Sequence, residues 1–575
     1  MDKDTSVSVE QTGRDEAAPA PVRGSISRRE LLFGAAATAG LAVASMAACS
    51  PSSAAPEAGG TETPAGAPTE APTGATAATE EATLWSLEPV GEATESMEAE
   101  LVIIGGGGCG LAAATQARQL GVDVLVLEKM GSAGGSLICT EGMFVFDSHW
   151  QKEAGVEADL DGFLKKCMDY HHWIPRPELY RTWIGETAET VDWCEGIGCE
   201  YGALATIGLT PQSFLAWKHD PGSGKSPGSE FTANLAKAAE EAGANIMLET
   251  TAKRIVLEGG AVVGVLAEND SGAVIRIDTK AVLISTGGYG QNEEMLKELA
   301  HFVCRAVEPG TPGRVGDGMK MGLDAGAALW DFPGTLPLLG PLVAGAGWEP
   351  NMVILSFQPL LWINQDCERY IGEDILLENF AYAGQASKNQ ERSITLFTEA
   401  DLKHFEETGP YANIFTLGKV GTPDEAVRER LLELQEGDGT VYVADSIEDL
   451  ARLADLDAAA LKACVERYNG YCAAGVDSEF GKDAEYLKPL SAGPYYALEN
   501  AVCFTGSGGC LKVDTEMRCL DAERVPVIGL WAGGCDAGGL FGDCYDANIA
   551  GGSMASWAIN SGRLAAKSIA NFLGK

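Results

Sequence analysis

The stretch ELVIIGGGGCG, from Glu100 to Gly110, joins a short apolar run to a loop made almost entirely of glycine. Gly105, Gly107 and Gly110 have the spacing G-x-G-x-x-G, and the residues that follow continue as an apolar helical pattern. A second apolar run ends in Glu128, close to the usual distance of about 20 residues beyond the glycines. In such a strand–loop–helix–strand unit the glycines admit a pyrophosphate and the acidic residue binds ribose hydroxyls. The sequence therefore predicts a site for an adenine dinucleotide.

Further glycine-rich segments favour FAD over NAD. The loop KMGSAGGS follows Glu128, two later apolar runs end in TGGYG and AGG, and GGS precedes a C-terminal apolar helix. Four separated segments that converge on one ligand fit an extended FAD, and the positive end of the last helix can face the flavin ring. The predicted cofactor residues are Gly105, Gly107, Gly108, Gly110, Glu128, Lys129, Gly134, Gly135, Ser136, Thr286, Gly287, Gly288, Gly534, Gly551 and Ser553.

The composition is that of a large and strongly acidic globular protein. The chain has 575 residues, of which 46% are hydrophobic, and its formal net charge is −41 at pH 7. A chain of this length exceeds one simple core, so we expect two or more domains. The negative charge argues against binding to nucleic acid or to anionic membrane surfaces.

Residues 1–97 are predicted to lie outside the catalytic fold. Arg28 and Arg29 precede a moderately apolar stretch, which is typical of a Tat export signal. The sequence MAAC, ending at Cys49, resembles a lipoprotein cleavage box, with ordinary cleavage after Ala47 or Ala48 as the alternative. Residues 50–97 are rich in Ala, Pro, Thr and Gly, which predicts a disordered linker. We therefore expect a signal over residues 1–49, export by Tat, and a lipid anchor at the extracytoplasmic face of the cell membrane.

The 15 cysteines include neither a CxxC pair nor a CxxCH motif, which excludes a c-type haem attached to this chain. Cys194 with Cys199, or the cysteines from Cys503 to Cys544, could in principle hold a metal cluster. Their irregular spacing instead favours small buried hydrophobic residues. We expect no metal.

Several motifs resemble the fumarate reductase/flavocytochrome c flavoproteins, to which the 3-ketosteroid dehydrogenases are related. They are EKMGSAGGS, AVLISTGGYGQNEEM, GDGMKMGLDAGA, NQDCERYIGE, GPYYALEN and LWAGGCDAGG. The resemblance implies an α/β fold in which a Rossmann-type FAD-binding domain is interrupted by an α+β capping domain. It places the two parts of the FAD-binding domain at residues 98–337 and 505–575, and the capping or substrate domain at residues 338–504. It also adds Asp317, in the third motif, to the cofactor residues.

The same resemblance implies hydride exchange between flavin N5 and one carbon of an activated C=C bond, with a protein acid supplying the proton. In fumarate reductases one Arg donates this proton, and a His and a second Arg bind the substrate carboxylates. The matching positions here are Leu377, Leu338 or one of its neighbours, and Ile549, all of them uncharged. Because buried carboxylates without cations are costly, we do not expect a dicarboxylate. These residues are predicted to line a pocket for an enone, an aryl-alkene or a steroid-like lipid.

Without the Arg of the family, another group must move the proton. Tyr545 is the first candidate, because it lies in the same glycine-rich loop as Ile549 and a Tyr can act as an acid or donate to a developing enolate. Tyr289, where relatives carry Phe beside the flavin, and Arg314 are weaker candidates. Each has a structural alternative, which is packing for the tyrosines and an ion pair for Arg314.

The sequence therefore predicts an exported FAD-dependent reductase of a C=C bond in a neutral or apolar small molecule. Its electrons are expected from a separate donor, either a membrane cytochrome or a flavoprotein, because the chain carries no haem motif. Reductases of the cardiac-glycoside type fit the same pattern. The alternatives are a dehydrogenase of the 3-ketosteroid type, which reverses the reaction, and a non-catalytic flavoprotein that carries electrons.

Overall fold

A computed structural model describes residues 84–207, 209–302, 305–307, 310–334, 338–346, 349–412, 425–437, 439–542 and 547–575. They belong to one compact unit, Glu80–Lys575. None of the helices within these segments is long and apolar enough to cross a membrane. The predicted export signal and most of the predicted linker lie outside the described residues.

Strands and helices alternate in the first part of the chain, which is the pattern of an α/β protein. The strands are β1 (Glu95–Glu98), β2 (Leu101–Ile104), β3 (Val124–Leu127), β4 (Gly142–Phe144), β5 (Tyr201–Ile207), β6 (Thr210–Trp217), β7 (Asn245–Met247), β8 (Thr250–Glu258), β9 (Ala261–Asn269), β10 (Val274–Asp278), β11 (Ala281–Ile284), β12 (Ala306–Val307), β13 (Leu338–Val343), β14 (Leu361–Asn364), β15 (Ser393–Thr398), β16 (Val441–Ala444), β17 (Tyr495–Phe504), β18 (Leu511–Lys512), β19 (Arg518–Leu520), β20 (Pro526–Ala532) and β21 (Ala537–Gly538).

The helices are α1 (Gly108–Gln119), α2 (His149–Glu153), α3 (Leu160–Tyr170), α4 (Pro177–Gly196), α5 (Pro227–Glu241), α6 (Glu293–Ala300), α7 (Asp317–Asp324), α8 (Pro350–Ser356), α9 (Ile375–Glu378), α10 (Phe380–Lys388), α11 (Glu399–Glu407), α12 (Glu425–Glu436), α13 (Ile447–Leu453), α14 (Ala458–Ala474) and α15 (Ser553–Phe572). Short 3-10 turns lie at Gly135–Cys139, Ala484–Tyr486 and Gly534–Asp536.

The largest sheet carries the first glycine loop. Its strands lie in the order β1-β10-β9-β20-β11-β2-β3-β7, with β8 beside β9 and β19 beside β20. Strand β2 pairs in parallel with both β11 and β3, and all residues of these three strands are buried. Parallel strands covered on both faces are apolar throughout. Because β2, β3, β11 and β20 run in the same direction, the loops at their carboxyl ends converge at one edge.

Helix α15 covers part of this sheet by packing on α1. Gly562 approaches α1 so closely that a Cβ there would collide with the carbonyl oxygen of Cys109. On another side of α15, buried Arg563 donates hydrogen bonds to Glu189 and to Thr190 of α4. The C-terminal helix is therefore held between α1 of the dinucleotide unit and α4.

The capping part is built around β17. This strand pairs with β13, β15 and β16 in the antiparallel sense and with β12 in parallel, and β14 lies beside β15. After β17 the chain returns to the main sheet through β19 and β20. The predicted fold class, a Rossmann-type domain interrupted by an α+β cap, is confirmed. Strand β12 joins the cap sheet although it precedes the predicted boundary at residue 338.

The folded part begins earlier than the sequence predicts. Strand β1 pairs with β10, and Leu84, Trp85 and Leu87 pack against the main core, although residues 50–97 were expected to form a disordered linker. The sequence of β1 is ESME, and three of its four residues are exposed. Main-chain hydrogen bonds rather than apolar side chains place this edge strand, so composition gave no sign of it.

Candidate active site at the glycine loops and the cap junction

The first glycine loop fits a backbone that must approach a ligand closely. Gly105 has a φ of 103°, and a Cβ there would collide with the carbonyl oxygen of Ser285. Gly107 precedes the first turn of α1, and no side chain caps that turn. The amides of the first turn are therefore available to an anion, as the phosphates of a dinucleotide require.

Glu128 lies at the end of β3 and connects two loops. One carboxylate oxygen accepts a hydrogen bond from the amide of Gly106 (2.8 Å), and the other accepts from the amide of Met130 (2.8 Å). The carboxylate is buried. It follows β3 directly, which is the position of the ribose-binding acid in this type of unit. Its predicted role in binding the ribose stays a prediction.

The second glycine loop packs directly on the first. The Gly134 amide donates to the carbonyl of Gly106 (2.8 Å), and a Cβ on Gly135 would lie 3.0 Å from the Cα of Gly107. Beside this loop, Lys129 forms an ion pair with Asp317, with 2.6 Å between Nζ and Oδ2. Two predicted cofactor residues, separated by 188 positions, are thus in direct contact.

The third glycine loop, residues 286–290, is held in place by a residue that was not predicted from the sequence. Asp536 is fully buried and accepts hydrogen bonds from the Thr286 hydroxyl (3.0 Å) and the Gly287 amide (2.9 Å). Burial raises the pKa of this carboxyl to about 6, although hydrogen bonds from residues 286–288 oppose the rise. The sequence signal was an acidic residue at the end of a buried strand, two positions after Gly534.

The fourth segment combines Gly534 with the start of α15. The Gly534 amide donates to the hydroxyl of Ser561 (2.8 Å), and its carbonyl accepts from the indole of Trp557 (2.9 Å). Helix α15 begins at the buried Ser553, directly after Gly551 and Gly552. The N-terminal end of this helix therefore carries the positive end of the dipole at a predicted cofactor residue.

The structure brings two of the three predicted pocket positions into neighbouring segments. Ile549 is 5% exposed and belongs to the main hydrophobic core. The preceding side chain, Asn548, donates to the carbonyl of Glu378, which directly follows the partly buried Leu377 in α9. Leu338 begins β13 and pairs with Phe504, but its side chain is outside the described part. The segment of Asn548 and Ile549 thus meets the cap at α9.

Of the two tyrosines predicted as proton donors, the structure describes only Tyr289. Tyr545 lies outside the described residues. The Tyr289 ring is fully buried, its hydroxyl donates to the carbonyl of Pro333, and burial raises the pKa of this phenol well above its usual value. Because this hydroxyl is engaged with the main chain, the geometry weighs against Tyr289 as the proton donor.

Arg314 lies among the cofactor loops. Its guanidinium donates to the hydroxyl of Ser136 (2.5 Å), and its methylenes would lie 3.0 Å from a Cβ on Gly287. It thereby connects the second and third loops and helps to hold them in position. Its expected catalytic role stays a prediction.

Within the cap, a buried ionic cluster precedes α9. Arg369 is paired with Glu373 (2.9 Å) and Asp477 (3.0 Å), and Lys482 lies 3.3 Å from the same Glu373. Another oxygen of Glu373 accepts from the amide of Trp362. This cluster fixes the turn that precedes Leu377. All of its members are residues of the cap.

The fold and these loops define a capped Rossmann-type flavoprotein, in which a glycine-lined cradle fits FAD. The family model described as FAD binding domain matches residues 100–548, and the chain belongs to this family.

Known proteins agree with this assignment. Vinyl phenol reductase of Lactiplantibacillus plantarum is 31% identical over 493 residues, covering 82% of this chain and 96% of that protein. Urocanate reductase of Eggerthella lenta is 27% identical over 463 residues, covering 77% and 71%. A solved flavocytochrome c3 fumarate reductase in its open conformation gives a TM-score of 0.63 at 24% identity, covering 84% of this chain and 79% of the other, and shows the fold alone.

The resemblance inferred from the motifs is therefore confirmed, as is the FAD cofactor. The chain is an FAD-dependent enzyme of the reductase and dehydrogenase class that acts on CH–CH bonds. The individual site residues remain predictions, because these similarities do not test them.

Proposed function

We propose that the protein reduces an activated C=C bond in a neutral or weakly polar substrate. The observation that carries the proposal is Ile549, a buried apolar residue at the position where the resemblance implies a carboxylate-binding Arg. Its loop meets the cap next to Leu377, which stands where the resemblance implies a proton-donating Arg. Ile549 and Leu377 therefore both carry a hydrocarbon side chain where the resemblance implies a cation.

The substitution has a clear energetic consequence. A carboxylate moved from water into a site without a cation loses several kcal/mol of solvation that nothing restores. A neutral planar molecule loses much less and gains from contact with apolar side chains. The site therefore favours an uncharged alkene over fumarate.

The relative with 31% identity supports this choice of substrate class. That protein is a vinyl phenol reductase, and a vinyl phenol is a neutral aryl-alkene at physiological pH. We therefore propose an aryl-alkene or a conjugated enone as the substrate class of this chain.

FAD, when bound, supplies a hydride from N5 of the reduced ring to one alkene carbon. The residues of the chain position the cofactor through the glycine loops, exclude water at Ile549, and deliver a proton to the other carbon. We propose the Tyr545 hydroxyl as the proton source, since it lies in the loop that ends at Ile549. Electrons are proposed to come from a separate membrane cytochrome or flavoprotein.

A reoxidation screen tests the proposal. Purified flavin-loaded protein is reduced with dithionite and mixed with 4-hydroxystyrene, an enone, fumarate or urocanate, while flavin absorbance is followed. We expect a neutral alkene to reoxidise the flavin and fumarate to be inert. Reoxidation by fumarate alone would refute the proposal, and no reoxidation by any alkene would favour a non-catalytic flavoprotein.

The proton source is tested separately. Tyr545→Phe is expected to lower turnover by about a hundredfold or more, the usual size of general acid catalysis. Tyr442→Phe is the matched control, because its hydroxyl donates to the carbonyl of Gly439 in the cap. Equal turnover in the two variants would exclude Tyr545.

We also propose export by Tat and a lipid anchor, on the sequence of residues 1–49. Arg28→Lys combined with Arg29→Lys is expected to leave the protein in the cytoplasm. Cys49→Ala is expected to release exported protein from the membrane. Immunoblots of cell fractions check both outcomes, and membrane association that survives Cys49→Ala would exclude the lipid anchor.

A further inference from the structure

Helix α4 ends in a turn of defined geometry. The amide of Cys199 donates a hydrogen bond to the carbonyl of Cys194 (2.9 Å), and the amide of Gly198 donates to the carbonyl of Glu195 (3.0 Å). Gly198 has a φ of 88°, in the left-handed region. Two such bonds around a left-handed glycine define a Schellman motif, whose first and last residues often contact each other through their side chains. In this turn both of these residues are cysteines.

The turn brings the two thiols together. Because the main chains of Cys194 and Cys199 share a hydrogen bond, their Cα atoms cannot lie more than about 6.8 Å apart, which is the summed length of the atoms that join them. Disulfides usually span about 4.4–6.8 Å between Cα atoms. The thiol of Cys199 also donates a hydrogen bond to the sulfur of Cys194. The pair therefore has both the separation and the sulfur contact that a disulfide requires.

The thiols lie directly beneath the surface. Cys194 and Cys199 are 0% and 1% exposed, whereas Gly196 and Gly198 of the same turn are exposed. A Cβ on either glycine would meet no atom within 4 Å, so the outer side of the turn faces open space. Helix ends fray, and exposed turns open locally far more often than the whole fold. A small oxidant can therefore reach the two sulfurs without global unfolding.

The two sulfurs differ in acidity. Burial opposes the ionisation of Cys194, but hydrogen bonds from the Cys199 thiol and the Tyr201 hydroxyl lower the pKa of Cys194 below its usual value. The hydrogen bond to Cys194, together with burial, raises the pKa of Cys199. The thiolate is the attacking form in thiol–disulfide exchange. Cys194 is therefore suited to attack an oxidant first, and Cys199 to react second.

We propose that Cys194 and Cys199 form a disulfide when the protein meets a low-molecular-weight disulfide as oxidant. The Cys194 thiolate attacks one sulfur of the oxidant, which forms a mixed disulfide and releases the first oxidant thiol. Cys199 loses its proton to solvent and attacks the Cys194 sulfur, which releases the second oxidant thiol. The two cysteines thus lose two electrons and two protons, and the oxidant gains both as two thiols. The proposed export would carry the protein to a compartment in which disulfides persist.

The disulfide would fix the end of α4 that contacts α15. Arg563 of α15 donates to Glu189 and Thr190 of α4, and its guanidinium lies 4.9 Å from the ring centre of Trp193 in the last turn. The last carbonyls of a helix lack partners within the helix, so its end is held weakly. A covalent link across the turn keeps Trp193 on Arg563. The bond would therefore stabilise the contact with the helix that begins at the predicted cofactor residue Ser553.

Alkylation of the wild-type, flavin-loaded protein tests the inference. The protein is incubated with oxidised glutathione, denatured in the presence of iodoacetamide and digested with trypsin. Residues 182–218 form one tryptic peptide with Cys194 and Cys199 as its only cysteines. We expect this peptide to carry no label, and to take up two labels only after reduction with dithiothreitol. A peptide that carries labels or glutathione before reduction would overturn the inference.

Cys464 and Cys472 are the matched control in the same sample. Cys464 is buried and Cys472 is partly buried, and both lie in α14. Eight residues of helix separate them by about 12 Å, which is beyond the reach of a disulfide. Both are expected to keep their labels. Loss of these labels as well would show unspecific oxidation and would overturn the inference.

Cys199→Ser separates the two steps. Without the Cys199 thiol, Cys194 is expected to retain one glutathione, because no neighbouring thiol can displace it. Circular dichroism and flavin content establish that the variant is folded. An unmodified Cys194 in the folded variant would overturn its assignment as the attacking thiol. These experiments follow thiols and not turnover, so their outcome is independent of the proposed substrate.

Discussion

At the residue scale, the carboxyl of Asp536 is fully buried among the predicted cofactor loops. Three buried thiols lie near it, and the pKa of Cys109, Cys510 and Cys519 is raised chiefly by burial and further by the charge of Asp536. It also holds Thr286 and Gly287 by hydrogen bonds. The third loop therefore depends on one carboxyl that gives up its proton reluctantly.

This carboxyl makes stability depend on pH. Its pKa is about 6 in the fold against 3.8 ordinarily, so between these values the folded state binds more protons than the unfolded one. The contribution of this group to the free energy of unfolding is greatest below pH 4. It decreases as the pH rises through 6, by about 3 kcal/mol in total. We expect Asp536→Asn to flatten the fall of the melting temperature between pH 4 and pH 7.

Thermal melting at equal flavin content checks this prediction. Asp123→Asn is a suitable control, because that side chain is exposed and paired with Arg118 at the surface. Parallel pH profiles for wild type and Asp536→Asn would contradict the assignment.

At the scale of elements, the unit β2–loop–α1 carries the predicted cofactor site. Its loop leaves no room for a side chain at Gly105, and its helix presents uncapped amides. We expect Gly105→Ala to lower FAD affinity at least tenfold, because the Cβ would displace the loop from the Ser285 carbonyl.

Gly259→Ala is the matched control for this change. Gly259 also has a positive φ, of 60°, but a Cβ there would meet no atom within 4 Å. Both substitutions place a side chain at a positive φ, and only Gly105→Ala adds a collision. The ratio of flavin to protein after purification and flavin fluorescence titration measure the difference, and equal flavin affinity in the two variants would contradict the role of the close approach.

At the scale of the whole molecule, the compact unit begins at Glu80. A chain that starts at Glu80 is expected to keep its flavin and to melt within about 2 °C of the full-length protein. A chain that starts at Ala99 lacks β1 and the apolar residues Leu84, Trp85 and Leu87, which pack on the core. It should melt several degrees lower, since these side chains are partly buried and a fully buried apolar side chain contributes about 1.5–3 kcal/mol. Equal melting temperatures of the two truncated chains would show that β1 adds no stability.

Much of the fold could be predicted because its signals are local. The parallel strands are continuous apolar runs and the glycine loops follow them directly, so the strands and the loops between Gly105 and Gly135 could be placed without tertiary information. Strand β1 could not, because it is an exposed edge strand whose pairing depends on main-chain bonds to β10. Asp536 was missed because an acid is ordinarily exposed, and only the packing of the loops shows it buried.

The sequence by itself determined the cofactor and the fold class, since both depend on glycine-rich motifs of fixed spacing, and it predicted uncharged residues at Leu377 and Ile549 where the resemblance implies cations. Only the tertiary structure decided which side chains of the cap meet the FAD-binding part. Asn379 and Tyr170 are 209 positions apart, and Asn548 and Glu378 are 170 apart. No local pattern specifies such pairs, because they form only when the packing of two domains brings their surfaces together.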